Sequence, residues 1–299
     1  MKSLIEIIKQ AENKKIAIGH FNVSDIVTFK AIFAAARELQ LPVIIGVSEG
    51  EREFIGVRQI AALIKSLRAA PYGGEPRLNG REEYDYPIYL NADHTKSLEK
   101  IKQALEAGFD AAVFDASEFP LEENIKKTKE VVEYVKSISP DFLIEGELGY
   151  IGSGSVLLKE IPAGAAIKPE DLTKPEEAAQ FIRETGVDLF APAVGNLHGM
   201  FVNSPNPKLD IQRITEIKKV VGVPLVLHGG SGVSNEDFIK AIKAGISVIH
   251  INTELRLAWR KGIEEALSKN PNEIAPYKLL ASAVQSVKEV IAARLKLFC

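Results

Sequence analysis

PIYLNADH (87–94), LFAPAVGNLH (189–198) and PLVLHGG (224–230) decide the fold, because each is a short apolar run that leads into a histidine. Parallel strands that are buried on both faces have this continuous apolar character. Histidines so far apart in sequence meet in space only if their strands are parallel neighbours around one axis. The three segments therefore predict parallel strands whose carboxyl ends share one face. The histidines concerned are His94, His198 and His228.

Five further apolar runs extend this pattern. The eight predicted strands are 16–23, 42–48, 87–93, 111–117, 142–148, 189–195, 224–230 and 246–252. Segments of helical periodicity fill the gaps, and several begin with Ser, Asp or Pro and end in Gly, as capped helices do. They include 97–108, 121–138, 175–186 and 234–245. Eight strand–helix repeats favour the α/β class and a closed (β/α)8 TIM barrel. The alternative is a doubly wound sheet, but the turn after the first strand lacks its G-x-G-x-x-G motif.

We expect residues 1–299 to form a single (β/α)8 barrel domain with three additions. Residues 71–86 are polar and rich in Pro and Gly, which predicts a long excursion before the third strand. Residues 149–174 follow the fifth strand and predict a glycine-bearing loop at the functional face. Residues 275–296 predict an extra C-terminal helix, packed across the barrel or against a neighbouring subunit.

The composition, with 46% hydrophobic and 26% charged residues, is that of a globular protein in water. A net charge of −3 does not attract the chain to nucleic acid or acidic membranes. The only cysteine, Cys299, excludes an internal disulfide and a cysteine metal cluster. No apolar run approaches the ~20 residues that a membrane span needs. We therefore expect a cytoplasmic protein that binds neither nucleic acid nor membrane.

Imidazole and carboxyl groups follow the middle strands. Three converging neutral histidines are the donor set of a catalytic zinc site with one open position, whereas a single strand-end histidine is usually structural. Asp93 stands beside the first histidine, where it predicts proton transfer, or else it caps the next helix. Asp115 fits an N-cap equally well. Glu147 shares a strand face with Glu145, which favours a nearby cation over a carboxylate paired with Lys.

The last two strands carry features of an anion site. In the HGGSG run (228–232), backbone N–H groups and the N-terminus of the next helix would attract a phosphate. A tight turn alone does not need two glycines followed by Ser and Gly. His250 alternates with Ile249 and Ile251, so it faces the barrel lumen, and a packed core histidine is the simplest interpretation.

Six motifs are spread in order along nearly the whole chain: NADH (91–94), VFDAS…LEENI (113–125), EGELGYIG (145–152), GNLHGMF (195–201), LHGGSG (227–232) and INTELRLA (251–258). Together they resemble the class II fructose-bisphosphate aldolase family, which includes the tagatose-bisphosphate aldolases. The resemblance implies a zinc-dependent lyase of glycolysis and gluconeogenesis that reversibly cleaves fructose 1,6-bisphosphate to dihydroxyacetone phosphate and glyceraldehyde 3-phosphate. Tagatose bisphosphate or another phosphorylated ketose is the alternative substrate. A homo-oligomer, dimer or tetramer, is also implied.

The resemblance also implies roles for the matching residues. The zinc ligands correspond to His94, His198 and His228, with Zn²⁺ polarising the ketone. Asp93 corresponds to the catalytic acid/base, while Asp115 and Glu147 match an alternative, buried metal position. A monovalent cation, Na⁺ or K⁺, would lie near the substrate. The predicted substrate-binding residues are Asn22, Ser48, Gly199, Gly229, Gly230, Ser231, His250, Ile251, Asn252 and Thr253.

Four departures from the family pattern leave the substrate open. His250 stands where the family usually has Asn, and Asn252 replaces a frequent Asp. The segment GSGS (152–155) replaces a Gly-Gly-Glu loop that carries a mobile acid, and Val202 replaces a frequent phosphate-binding Lys.

Two other classes of function remain. A zinc hydrolase would generate hydroxide at the metal, but the phosphate-type glycine motif argues against it. A non-catalytic barrel subunit should have lost its metal ligands, which this chain keeps.

The eight predicted strands contain no lysine, which argues against a Schiff-base aldolase.

Overall fold

The structure is a computed structural model that describes residues 2–69, 86–152, 154–201 and 203–299. Its ten strands are β1 (Ile18–Asn22), β2 (Val43–Val47), β3 (Ile88–Thr95), β4 (Ala111–Phe114), β5 (Leu143–Leu148), β6 (Leu157–Leu158), β7 (Leu189–Pro192), β8 (Met200–Phe201), β9 (Leu225–Leu227) and β10 (Ile246–Ile251). Eight of them close into a parallel barrel in the order β1-β10-β9-β7-β5-β4-β3-β2. The short strands β6 and β8 pair separately. The predicted TIM barrel and its eight strands are therefore confirmed.

Helices surround the barrel. They are α1 (Leu4–Lys14), α2 (Ile26–Leu39), α3 (Glu49–Ile55), α4 (Val57–Ala69), α5 (Leu98–Ala107), α6 (Leu121–Ile138), α7 (Pro175–Thr185), α8 (Ile211–Val220), α9 (Asn235–Ala244), α10 (Thr253–Lys269) and α11 (Pro276–Phe298). The four helices predicted from capping and periodicity, α5, α6, α7 and α9, agree with the structure to within one residue at each end. In the part of the chain that the structure describes, no helix is long and apolar enough to cross a bilayer.

The core has two parts. The larger lies between the strands and the outer helices, and it explains why the strand segments are apolar on both faces. The smaller fills the bottom of the lumen, where each strand contributes a side chain near its start, such as Tyr89 from β3 and Val226 from β9. Helix α1 inserts Leu4, Ile8 and Ala11 into this layer. The barrel is thus sealed at its N-terminal end, and the open end is where the strands finish.

The three predicted additions have different outcomes. Of the excursion 71–86, only Tyr86 lies within the described residues. The loop 149–174 contains β6 and lies against the segment that carries His198, whose backbone N–H donates to the Ile151 carbonyl at 2.9 Å. The predicted C-terminal helix is α11, and it packs against α2 and α10 of its own barrel. A Cβ on Gly262 would come within 2.5 Å of the Ala283 Cα, so glycine allows this close approach of α10 and α11.

Candidate active site

The lumen changes from apolar to polar toward the open end of the barrel. Because side chains alternate along a strand, every second residue of β1 and β3 points inward. On β1 this series is Ile18, His20 and Asn22; on β3 it is Tyr89, Asn91 and Asp93. The first member of each series belongs to the bottom layer, and the later members are buried polar groups. All five histidines of the chain gather in this polar layer.

Three of these histidines are the ones that the sequence predicts as metal ligands, and they lie close together. Each of His94, His198 and His228 offers a ring nitrogen, and the three atoms lie within 4.8 Å of one another. The His94 ring centroid is 4.6 Å from that of His198 and 4.8 Å from that of His228. The three segments quoted first therefore converge as predicted.

His94 reaches this position through a left-handed backbone. Its φ is 41°, a value rare for a residue with a side chain, and the pairing of β3 with β4 is irregular here. The buried Arg52 supports the distortion: its guanidinium donates to the Asp93 carbonyl at 3.2 Å and to Thr95 Oγ1 at 2.9 Å.

Carboxylates surround the histidine group. His94 Nδ1 lies 3.1 Å from Asp115 Oδ2 and 3.0 Å from Glu147 Oε1. Glu147 Oε1 is also 3.2 Å from His228 Nδ1, and His228 Nε2 lies 2.6 Å from Glu145 Oε1. Glu145 and Glu147 thus share the inward face of β5, as their spacing predicted. Asp115 also accepts from the backbone and hydroxyl of Ser117 in the loop after β4, but it does not cap a helix, because α6 begins after Pro120.

Burial and the neighbouring carboxylates shift the pKa values of these histidines in opposite directions. Burial by itself would lower the pKa of His94, but Asp93, Glu147 and Asp115 together raise that pKa well above its ordinary value. Burial would likewise lower the pKa of His228, and Glu147 and Glu145 raise it. Burial, together with the neighbouring His94 and His228, lowers the pKa of His198. The layer therefore concentrates negative charge on one side of the imidazoles.

The donor set fits a divalent metal ion. Glu147 Oε1 and His228 Nδ1 are buried 3.2 Å apart, but their orientation makes no hydrogen bond in the described structure, which is costly unless a ligand satisfies both atoms. Neutral imidazoles and carboxylates are the donors that zinc accepts. A second group, formed by His94, Asp115 and Glu147, matches the predicted alternative metal position.

His20, Asp93 and His250 also lie close together, but they do not fit one ion. The rings of His20 and His250 are stacked at 3.4 Å with planes 4° apart. Imidazole lone pairs lie in the ring plane, so those of two parallel stacked rings cannot converge on one metal.

Asp93 lies at the top of this stack. Its Oδ2 accepts from Asn22 Nδ2 at 2.9 Å, and its Oδ1 is 3.4 Å from His250 Nδ1. Burial would raise the pKa of Asp93, but His94, His250 and His20 hold it well below its ordinary value. The carboxylate is therefore ionised, next to the histidine group and at the cavity wall.

Sequence reasoning missed His20 and identified only part of the setting of His250. His250 faces the lumen as predicted, and its ring lies between those of His20 and His228, the latter at 4.0 Å. A Cβ on Gly46 would come within 2.0 Å of the His20 ring, so β2 leaves room for this side chain by carrying glycine. The signal was available in β1, where His20 shares its face with Asn22.

A cavity of about 230 Å³ opens over the site. Predicted residues that line it are Asn22, Ser48, Asp93, His94, His198, Gly199, Gly229, Ser231, His250, Asn252 and Thr253. The loop 149–174 adds Gly154, Ser155 and Val156, while Ser153 and Val202 lie outside the described residues.

The glycine-rich turn forms one wall of this cavity. Gly229 has a φ of 59°, and a Cβ there would come within 2.2 Å of the Leu197 carbonyl oxygen. Among the described residues, the backbone N–H groups of Gly229 and Ser231 donate to no other group. Gly230 and Ile251 do not line the cavity, because the Gly230 N–H donates to the His250 carbonyl and the Ile251 side chain is buried in the core.

Comparisons with known proteins agree with this geometry. The family model for class-II fructose-bisphosphate aldolase matches residues 2–299. The chain is 33% identical over 297 residues to the fructose-bisphosphate aldolase of Geobacillus stearothermophilus, covering 99% of this chain and 96% of that protein. It is 34% identical over 301 residues to the probable fructose-bisphosphate aldolase of Bacillus subtilis, with the same coverage. The crystal structure of the YdjI aldolase from Escherichia coli K12 superposes with a TM-score of 0.78 at 29% identity, covering 100% of this chain and 97% of that one.

Proposed function

The chain belongs to the class-II fructose-bisphosphate aldolase family, and we propose that it catalyses the reversible, zinc-dependent aldol cleavage of a phosphorylated ketose. Fructose 1,6-bisphosphate is the first candidate substrate, with dihydroxyacetone phosphate and glyceraldehyde 3-phosphate as products. Tagatose bisphosphate differs at one stereocentre and is the alternative. The observation that carries the proposal is one cavity lined by His94 and His198 of the histidine group, by an ionised Asp93 and by the free amides of the glycine turn.

His94, His198 and His228 would hold the ion, with Asp115 and Glu147 as the alternative position. A bound Zn²⁺ supplies Lewis-acid polarisation of the ketone carbonyl. The residues lining the cavity include no lysine within the described residues, so no Schiff base is available as the other electron sink.

Asp93 acts as the base for cleavage. Its carboxylate takes the proton of the C4 hydroxyl, the C3–C4 bond breaks and the aldehyde leaves. The electron pair stays with the dihydroxyacetone phosphate half, whose C3 then takes one proton from water while Asp93 returns its proton to solvent. Asn22 orients Asp93 for this step, because its amide donates to Oδ2.

The phosphate would lie against Gly199, Gly229 and Ser231. The free N–H groups of the turn donate to it, and the N-terminus of α10 at Thr253 favours negative charge nearby. We also propose a monovalent cation beside this phosphate and a homo-oligomeric, cytoplasmic enzyme, as the family resemblance implies.

The test is cleavage of fructose 1,6-bisphosphate, coupled to detection of triose phosphate, before chelation, after chelation and after Zn²⁺ is restored. We expect activity to disappear with the chelator and to return with zinc. The matched assay is metal-dependent exchange of the C3 proton of dihydroxyacetone phosphate with D₂O, which needs no aldehyde. A zinc-replete protein that performs neither reaction would contradict the proposal.

A further inference from the structure

A second, larger cavity adjoins the metal-side cavity. Its volume is about 490 Å³, against about 230 Å³ for its neighbour. The two share Asn22, Ser48, Asn252 and Arg256, so they form one continuous recess. None of the five histidines lines the larger cavity. It would therefore hold the part of a ligand that lies away from the metal.

Two aromatic side chains form its walls. Trp259, on α10, is held in place because its Nε1–H donates to Asp25 Oδ2 at 2.6 Å. Phe54, on α3, is 81% exposed although it is a large apolar side chain. Leu255 also lines this cavity, although its side chain is only 2% exposed. Aromatic rings beside hydrogen-bonding groups, here Asn22, Ser24 and Ser48 of the same cavity, form a contact surface for the carbon skeleton of a sugar.

The charged groups of this cavity are already paired. Both oxygens of Asp25 accept hydrogen bonds, from Thr28 and Trp259. Both oxygens of Glu51 accept as well, from Asn22, the Ser48 backbone and Arg256. Arg256 is the single cationic side chain among the described residues that line the cavity, and it also donates to the Ser155 carbonyl. Two carboxylates and one guanidinium leave a formal charge of −1.

We propose that this larger cavity, bordered by Phe54, Leu255, Arg256 and Trp259, binds the aldehyde half of the ketose and selects an aldehyde longer than three carbons without a terminal phosphate. The inference rests on the proposed function and names its substrate class, a ketose 1-phosphate with an extended polyhydroxy chain. A terminal phosphate would meet net negative charge and one engaged arginine. A three-carbon aldehyde would leave most of the cavity filled with water.

The first experiment measures aldol addition to dihydroxyacetone phosphate with a set of acceptor aldehydes. The set contains glyceraldehyde 3-phosphate and unphosphorylated hydroxyaldehydes of three to six carbons, with concentrations corrected to the free aldehyde form. We expect kcat/KM to rise with chain length and to exceed that for glyceraldehyde 3-phosphate by about tenfold or more for the five- or six-carbon acceptor.

The second experiment changes the walls. Phe54→Ala and Trp259→Ala remove ring surface, and Trp259→Phe keeps a ring while losing the N–H that binds Asp25. For the long acceptor, we expect the ratio of addition rate to dihydroxyacetone phosphate proton exchange to fall about tenfold in both alanine variants. Trp259→Phe should restore most of it. Tyr277→Ala is the matched control, because this exposed aromatic lines neither cavity.

The outcomes separate this inference from the proposed function. Proton exchange together with a clear preference for glyceraldehyde 3-phosphate would overturn the inference and leave the aldolase assignment intact. Equal ratios in Phe54→Ala, Trp259→Ala and the control would overturn it too. Absence of proton exchange in the zinc-replete protein would overturn the proposed function, and this inference with it.

Discussion

The proton-transfer role of Asp93 depends on how this carboxylate is held. Asn22 fixes one oxygen at 2.9 Å, and the other faces His250 at 3.4 Å without a hydrogen bond. The neighbouring residue, His94, carries the strain of a left-handed backbone, which costs on the order of 1–3 kcal/mol and persists only where surrounding contacts enforce it. The proposed acid/base, Asp93, and the proposed metal ligand, His94, are therefore adjacent in sequence but make different contacts. A substitution at one of them can remove its function and leave the other intact.

Asp93→Asn should keep the metal and lose turnover. The amide oxygen can still accept from Asn22, whereas it cannot take a proton at neutral pH, so we expect kcat to fall by about 10²–10⁴-fold. Metal analysis of the purified variant should give the stoichiometry of the unsubstituted protein. His94→Ala is the comparison, and it should lose both metal and activity. Metal loss from Asp93→Asn would show that this carboxylate holds the ion instead.

His20 should make the metal-free protein sensitive to mild acid. Burial lowers the pKa of His20 from 6.5 to about 4. The unfolded chain therefore binds this proton below pH 6.5 while the folded protein resists it until about pH 4, so stability falls as pH decreases through that window. Full protonation costs on the order of 3 kcal/mol. Urea unfolding at pH 7 and pH 4.5 should show a smaller loss for His20→Gln, and parallel losses would refute this account.

Sequence alone predicted the residues that follow strands, and it missed contacts that depend on barrel register. His94, His198 and His228 each terminate a recognisable apolar run. His20 lies inside such a run, where a histidine resembles any buried core residue. Its partner, His250, is 230 positions away and becomes a neighbour only because β1 and β10 close the barrel with these two residues in register.

At the scale of elements, the short helix α3 links two strand ends. Its Arg52 is 3% exposed and donates to the carbonyls of Val47, the last residue of β2, and of Asp93 in β3, as well as to the Thr95 hydroxyl. A buried guanidinium with several acceptors is an internal clamp rather than a surface charge. Through it, the geometry of β3 around His94 depends on α3.

Arg52→Met should loosen this clamp. The substitution removes three donors and leaves buried acceptors without partners, at about 1–3 kcal/mol for each unsatisfied group. We expect a lower free energy of unfolding and weaker zinc retention in dialysis against chelator. Arg58→Met is the control, because Arg58 is exposed on the neighbouring helix α4. Similar zinc retention in both variants would mean that α3 does not position His94.

The ends of the helices could be predicted from local capping residues, whereas the way the helices pack on the barrel could not. Ser97 and Ser234 cap α5 and α9, and Gly108 ends α5 in a left-handed conformation, so these boundaries follow from the sequence itself. Helix α1 has an equally clear start, a capping box at Ser3. Its insertion into the bottom of the lumen depends on side chains from all the barrel strands, which no local pattern contains.

At the scale of the whole molecule, the barrel divides its lumen into a sealed apolar end and an open, charged end. Asp93, Glu145 and Glu147 are each at most 3% exposed. Burying carboxylates is costly unless nearby cations compensate them. Burial raises the pKa of Glu145, and His228 only partly offsets this effect. A divalent ion at the histidine group would therefore stabilise the entire fold, because the strands that contribute these groups span the barrel.

Zinc bound at the histidine group should accordingly raise the midpoint temperature of thermal unfolding. A ligand that binds only the folded state adds about 2.7 kcal/mol at a concentration 100 times its Kd. For a chain of 299 residues, each kcal/mol shifts the midpoint by about 1.5–2 °C, so we expect an increase of roughly 4–5 °C over the chelated protein. Asp93→Asn should keep the increase and His94→Ala should lose it, since only the latter removes a proposed ligand. An equal increase in His94→Ala would place the stabilising ion elsewhere in the molecule and remove the physical basis for a histidine metal centre.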